Sequence, residues 1–289
     1  MTATEERRGP AGATDTLPTT GRLRRRVENL AWPGGTAILA VVLWEVGVRI
    51  FDVPTFVLPA PSEVLVVIGQ ERVRLWENGL VTLWAILAGF GLAILVSVPL
   101  AAMIVYSRIF EKAVYPLLIF SQTVPKIAVA PIFIVWFGFG TTPKVLIAFL
   151  ICFFPVVIDT VIGLRSVAPE SLDLIRSMGG TKRDIFMRVR VPNALPYFFS
   201  GLKIAITLAV VGAVVGEFVG STRGLGFVII QASSFLNTRL LFAAIIVLTV
   251  IGVVLFYIVD VLERLFISWH VTQRGDQSAT TVALTDHAM

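Results

Sequence analysis

The sequence predicts an all-α, polytopic membrane protein, and three observations carry that prediction. Hydrophobic side chains make up 56% of the 289 residues and charged ones only 15%, with a mean hydropathy of +0.86, well above an ordinary soluble domain. The apolar residues gather in six runs about as long as the roughly 20 residues a helix needs to cross the hydrocarbon core. These runs are continuously apolar, without the alternation a lipid-facing strand requires, so helices are favoured over a barrel.

Residues 1–30 are polar and Arg-rich and read as a disordered cytoplasmic tail ahead of an uncleaved first span. The apolar body covers residues 31–268, and residues 269–289 read as a second short tail. The spans are expected at Ala31–Phe51, Gly79–Tyr106, Tyr115–Phe137, Val145–Leu164, Tyr197–Gly220 and Leu240–Phe266. The third differs from the others because Pro116, Pro125 and Pro131 interrupt it and Lys126 falls at its middle. Proline removes a backbone donor and kinks a helix, so this run is either a straight span or a broken, re-entrant one.

The net charge of +5 would suggest nucleic acid in a soluble protein, but its distribution points to a membrane. With a cytoplasmic N-terminus, 17 of the 24 Lys and Arg residues fall on the inside, among them Arg108, Arg165, Arg176, Lys182, Arg183, Arg188 and Arg190. Six fall outside (Arg49, Arg72, Arg74, Lys144, Arg223 and Arg239), and Lys126 lies within a span. Such an excess obeys the positive-inside rule and places both termini in the cytoplasm.

Several chemistries are missing. Cys152, alone of its kind, reads as a small buried hydrophobe, and His270 and His287 lie outside the spans, so no His/Cys metal cluster is expected. The chain has no G-x-x-x-x-G-K-[ST] phosphate loop, no G-x-S-x-G elbow and no H-E-x-x-H pair. Energy for moving a solute must therefore come from a gradient or from a partner.

Between the fourth and fifth runs, residues 166–196 include "APESLDLIRSMGGTKRDIFMRVRVPNALP". Pro169 suits a first helical turn; Leu172, Ile175 and Met178 follow at helical spacing until Gly179 and Gly180 stop the helix. Thr181 and Asp184 form a capping arrangement for a second helix with Ile185, Phe186 and Val189 on its apolar side. Pro192 and Pro196 are expected to close that helix. Two amphipathic helices joined at glycines suit docking into a groove on another protein.

The same segment resembles the permease subunits of binding-protein-dependent ABC importers. Their signature is Glu-Ala-Ala, three residues, Gly, nine residues, then Ile-x-Leu-Pro. Here the corresponding residues are Asp173-Leu174-Ile175, Gly179 and Val189-Arg190-Val191-Pro192, at matching spacing. Larger side chains replace the two alanines. Further similarity runs through "LPAPSEVL", "APIFIVWFGFG", "FFPVVIDTVIGLRSV", "GLGFVI" and "ERLFISWH", which together look like the nitrate/sulfonate/taurine branch.

The resemblance implies a type I ABC importer permease fold, similar to methionine importers. It implies a homodimer in the bacterial inner membrane, two cytoplasmic ATPase subunits carrying ATP and Mg, and an external solute-binding protein. No cofactor and no catalytic residue are expected on this chain. Asp173, Gly179, Gly180, Thr181, Lys182 and Pro192 would form the coupling helix that enters the ATPase. The leading solute expectation is a sulfonate, nitrate or taurine-like anion, with a pyrimidine, riboflavin or another aromatic precursor as the alternative. A gradient-driven secondary transporter is the competing class; it would normally show paired discontinuous helices.

Polar residues within spans are the candidates for the translocation path, since an ionisable group at mid-membrane costs about 2.5–3.5 kcal/mol on insertion scales. Ser121, Gln122 and Lys126 qualify, with Thr123 beside them, as do Asp159 and Glu217. Lys126 either lines a path for anions or pairs with Asp159 or Glu217. Glu217 and Glu45 read as gate or helix-contact residues, and for Glu45 snorkelling toward the headgroups or contact with Arg49 one turn on is favoured.

Overall fold

The computed structural model describes residues 20–267, with side chains from residue 34 onward. Every regular element among the described residues is helical. They form two compact units: the described residues through Val53 with Ala60–Ser62, and Pro54–Pro59 with Glu63 onward.

The first unit is built on α1, Thr20–Ile50. Helix begins eleven residues before the first apolar run, so the expected tail over residues 1–30 overlaps α1 from Thr20 on; its earlier part and the tail over 269–289 lie outside the described residues. The expected contact within this run is present. Arg49 donates to the Glu45 carboxylate at 2.7 Å, and the same carboxylate accepts from the Ser62 amide at 3.0 Å.

The second unit contains α2 (Pro61–Gln70), of which Glu63 onward belongs here, α3 (Arg72–Tyr106), α4 (Arg108–Thr123) and α5 (Ala130–Phe137). It continues with α6 (Thr141–Arg165), α7 (Pro169–Ser177), α8 (Lys182–Asp184), α9 (Val191–Gly220), α10 (Leu225–Ser234) and α11 (Thr238–Phe266). Among the described residues four continuous helices are long and apolar enough to cross a membrane: α3, α6, the stretch Lys182–Gly220, and α11. The α4–α5 pair qualifies as a fifth, bent by 88° at a short break. Of the two readings of the third run, the broken one is observed. Val124 and Pro125 take extended backbone and a 3-10 turn, Lys126–Val129, leads into α5, where Pro131 sits in the first turn and needs no donor.

One expectation about the loop is corrected. Pro192 and Pro196 do not close a second short helix. After α8 the chain widens into a π-helical stretch, Ile185–Arg190, and passes directly into α9, with Pro192 in its first turn and Pro196 inside it. An α-helical proline clashes with the carbonyl four residues back, here that of Arg188. A turn widened to i→i+5 spacing moves that carbonyl aside and lets the helix continue.

The core is the crossing of α6 with α3 and α9. A Cβ added to Gly212 would lie 2.6 Å from the Ala148 Cα, and one on Gly216 would lie 2.6 Å from the Lys144 Cα. Two turns of small residues thus let the α9 and α6 backbones touch, the packing that lipid-embedded helices rely on where hydrophobicity gives no drive. Gly89 of α3 approaches Ala148 equally closely, and Ser97 donates to the Phe153 carbonyl at 3.1 Å inside the same core. Cys152 is fully buried there, as expected. At the loop end of α9 and α11, Lys203 is held by Asp260 and Glu263.

Candidate functional site

α6 has 25 residues and is therefore about 37 Å long at 1.5 Å per residue. Its two ends carry the two candidate regions of this unit. The C-terminal end leads into the loop singled out by sequence.

There α7 stops in a Schellman arrangement. The Gly180 amide donates to the Ile175 carbonyl at 2.9 Å and the Gly179 amide to the Arg176 carbonyl at 3.0 Å, which satisfies carbonyls the helix end would otherwise leave bare. The two glycines are needed for different reasons. Gly179 stands in open space but at φ +78°, a region that costs other residues about 1–2 kcal/mol. Gly180 has no side chain because a Cβ would lie 2.5 Å from Ile175 Cγ2 and 2.8 Å from its carbonyl oxygen.

Immediately after, Thr181 Oγ1 accepts from the Asp184 amide at 3.2 Å while the Asp184 carboxylate accepts from the Thr181 amide at 3.0 Å, the reciprocal capping box the sequence predicts. Asp173 is exposed and paired with Arg176 at 2.9 Å. Lys182 is exposed, and Pro192 is half-buried in α9. The result is a stiff turn that leaves Leu174 (60%) and Met178 (74%) in solvent, a small apolar knob of the kind that fills a partner's groove.

At the N-terminal end of α6 lies a buried polar network. Glu217 of α9, 1% exposed, accepts from Thr82 Oγ1 of α3 at 2.9 Å and from the Gly226 amide at 2.8 Å. Lys144 of α6, 2% exposed, stands 3.6 Å from the same carboxylate and donates to Ser221 Oγ at 3.0 Å and the Arg223 carbonyl at 3.1 Å. Thr82 Oγ1 accepts from the Leu225 amide at 2.8 Å, and Asn78 Oδ1 accepts from the Gly224 amide at 2.7 Å. Gly224, at φ +121°, has no room for a side chain: its Cβ would lie 2.1 Å from Glu217 Oε1. Glu217 is thus a helix-contact residue whose partner is Lys144, not Lys126. Lys144, expected on a solvated outer flank, is buried because the carboxylate, a hydroxyl and a carbonyl replace its water.

The remaining path candidates separate into two places. Lys126, half-buried, donates to the Gln122 carbonyl at 3.2 Å and lies 4.5 Å above the Phe154 ring. Ser121, on the last turn of α4, donates to the Leu117 carbonyl at 2.7 Å. These residues gather at the α4–α5 break. Asp159 is elsewhere, half-buried on α6 and facing Gly201 of α9. No ion pair joins it to Lys126 among the described residues. Sequence reasoning missed Lys144, Thr82, Asn78 and Gly224 as members of this network, since a lysine abutting an apolar run is equally what a solvated flank shows.

Residues 53–268 match the family model described as "Binding-protein-dependent transport system inner membrane component". The formylaminopyrimidine transport permease protein ThiX of Halalkalibacterium halodurans is 36% identical over 82% of this chain and 94% of its own length. The riboflavin transport system permease protein RibX of Chloroflexus aurantiacus is 38% identical over 88% of this chain and 98% of its own. The taurine transport system permease protein TauC of Escherichia coli is 30% identical over 82% and 88%. Among solved structures, a chain of the inward-facing MetNI methionine ABC transporter superposes with a TM-score of 0.58 at 18% identity, covering 68% of this chain and 97% of that one; this supports the type I fold. With the family model spanning most of the chain and relatives matched nearly end to end, the chain belongs to the inner-membrane permease family of binding-protein-dependent ABC importers.

Proposed function

We propose that the chain is the membrane subunit of an ATP-driven importer, working as a homodimer with two cytoplasmic ATPase subunits and an external solute-binding protein. The loop from Pro169 to Arg190 is the input. The observation that carries this reading is the doubly capped turn at Ile175–Asp184, stiff enough to transmit a displacement and topped by exposed Leu174 and Met178. ATP and Mg are held by the partner; this chain performs no chemistry on the solute. Nucleotide-driven closure of the ATPase pair moves the two docked loops, and the spans pass from inward- to outward-open by alternating access.

Both termini and the loop face the cytoplasm in this reading, and the Lys144–Glu217 network lies toward the periplasm, where the loaded binding protein would sit. Family membership favours this over a gradient-driven carrier.

For the solute, the relatives at 36% and 38% identity bear names for formylaminopyrimidine and riboflavin, against 30% for the taurine system. This favours a nitrogen heterocycle of the vitamin-precursor kind over the sulfonate suggested by sequence alone. Calorimetry of the cognate binding protein against pyrimidines, flavins, taurine and alkanesulfonates tests it: tight binding of a heterocycle is expected, and tight binding of a sulfonate alone overturns the assignment. The assembly is tested by co-purification, where a separate ATPase should accompany the chain, and by cysteine labelling at Lys182, which should react only from the cytoplasmic side.

A further inference from the structure

The geometry points to a binding site for one anionic phospholipid at the loop end of the bundle, formed by the α3–α4 junction, the π-helical stretch and the start of α9. A cavity of about 290 Å³ there is lined by Arg108, Arg176, Lys182 and Arg190, with Tyr106 and Phe186 on its walls. Arg176 is paired with Asp173. Among the described residues Arg108, Lys182 and Arg190 have no acidic partner, so three positive charges face one concavity uncompensated. Like charges held together are costly unless an anion joins them.

The second observation is what the cavity opens into. Tyr106 and Phe186 also line an adjoining apolar pocket with Ala102 and Phe110. Ala102 and Phe186 in turn line a third, about 270 Å³ in volume, running along Pro99, Leu164 and Leu195. The three adjoin through these shared residues, basic in the first and, apart from Ser107 and Thr160, apolar in the other two. The basic mouth lies where α3 ends: Arg108 is two residues past Tyr106, the last residue of a membrane-length helix, which is headgroup depth.

A phosphodiester with acyl chains matches both halves. The phosphate would sit among the guanidinium and ammonium groups, which bind such oxygens well. One acyl chain would lie in the groove between α3 and α9. Inorganic phosphate satisfies only the mouth, and an acidic protein segment leaves the groove empty. Because Phe186 and Arg190 lie on the π-helical stretch that joins the loop to α9, a lipid held there would brace the lever through which the loop acts.

The test uses the full chain purified in neutral detergent and titrated with phosphatidylglycerol or phosphatidylcholine of identical acyl chains, with bound lipid counted by native mass spectrometry. One saturable phosphatidylglycerol should bind, preferred over phosphatidylcholine, and R108Q/R190Q should weaken it about tenfold or more. Ala102→Phe keeps all four cations, fills the apolar cleft, and should weaken the lipid as well; circular dichroism confirms that each variant is folded. Equal binding of the two lipids, or full binding by folded R108Q/R190Q or Ala102→Phe, overturns the site. Displacement of the lipid by millimolar inorganic phosphate would make it a phosphate site and overturn the lipid assignment. Binding that vanishes when the ATPase subunits are added would assign the surface to that partner and overturn it equally.

Discussion

The C-terminal end of α6 leads to a turn made by contacts a few residues long, Ile175 to Gly180 and Thr181 to Asp184, most of them in water. Its N-terminal end is held by Lys144 and Glu217, where hydrogen bonds join residues 135 and 146 positions apart and almost no solvent enters. The first region is stiff because each backbone group has a near neighbour; the second, because three helices and a loop share one charge pair. The difference teaches where a fault would register. On the proposed function a change in the turn would alter how motion enters while the helices stay packed, whereas a change in the network would loosen the packing itself.

Breaking the buried pair should give the largest effect. Glu217→Gln leaves the Lys144 ammonium, and Lys144→Met the Glu217 carboxylate, buried without its opposite charge, and each should destabilise by about 3–5 kcal/mol. A large drop in the midpoint of thermal unfolding in detergent checks it. The double replacement Lys144→Met with Glu217→Leu should recover much of that loss; a double variant as unstable as the sum of the two singles would show that the charges act independently. Next in size is Gly212→Leu, whose first side-chain carbon would meet the Ala148 Cα at 2.6 Å and should cost about 1–3 kcal/mol by forcing α9 from α6. The same assay reads it, and an unchanged midpoint would deny the close crossing.

At the other end the effects on stability should be small. Gly179→Ala should cost about 1 kcal/mol and Gly179→Asn less, because asparagine tolerates positive φ. Equal costs would mean that conformation is not what glycine supplies there. Comparable in size but confined to one turn is Thr181→Ala, which removes one cap worth about 1 kcal/mol. It should speed hydrogen exchange at the Asp184 amide, and unaltered exchange there would contradict the capping box.

These contrasts also explain what the sequence made legible. The turn could be read because its determinants are adjacent: a proline at a helix start, two glycines at its end, and Thr181 three residues before Asp184. The spans were legible from apolar length, although α3 begins at Arg72, seven residues before its apolar run, since helix continues through polar residues that favour it. The network was not legible. Nothing local in "TTPKVLI" distinguishes a solvated lysine from one that meets Glu217 only after α6 and α9 have packed. The run from Pro192 to Pro196 misled for a related reason, because the π-helical stretch that accommodates the prolines belongs to the preceding residues.

The central claim is that the shape of the turn, rather than its mere presence, passes the partner's work to the spans. Solute-stimulated ATP hydrolysis by the reconstituted complex carrying Gly180→Val measures this most directly, since the added Cβ would meet Ile175 of α7 itself, its Cγ2 at 2.5 Å and its carbonyl oxygen at 2.8 Å. The account predicts that the complex assembles with a nearly unchanged unfolding midpoint and that stimulation by loaded binding protein is lost. Wild-type stimulation in a folded, assembled Gly180→Val complex would contradict it.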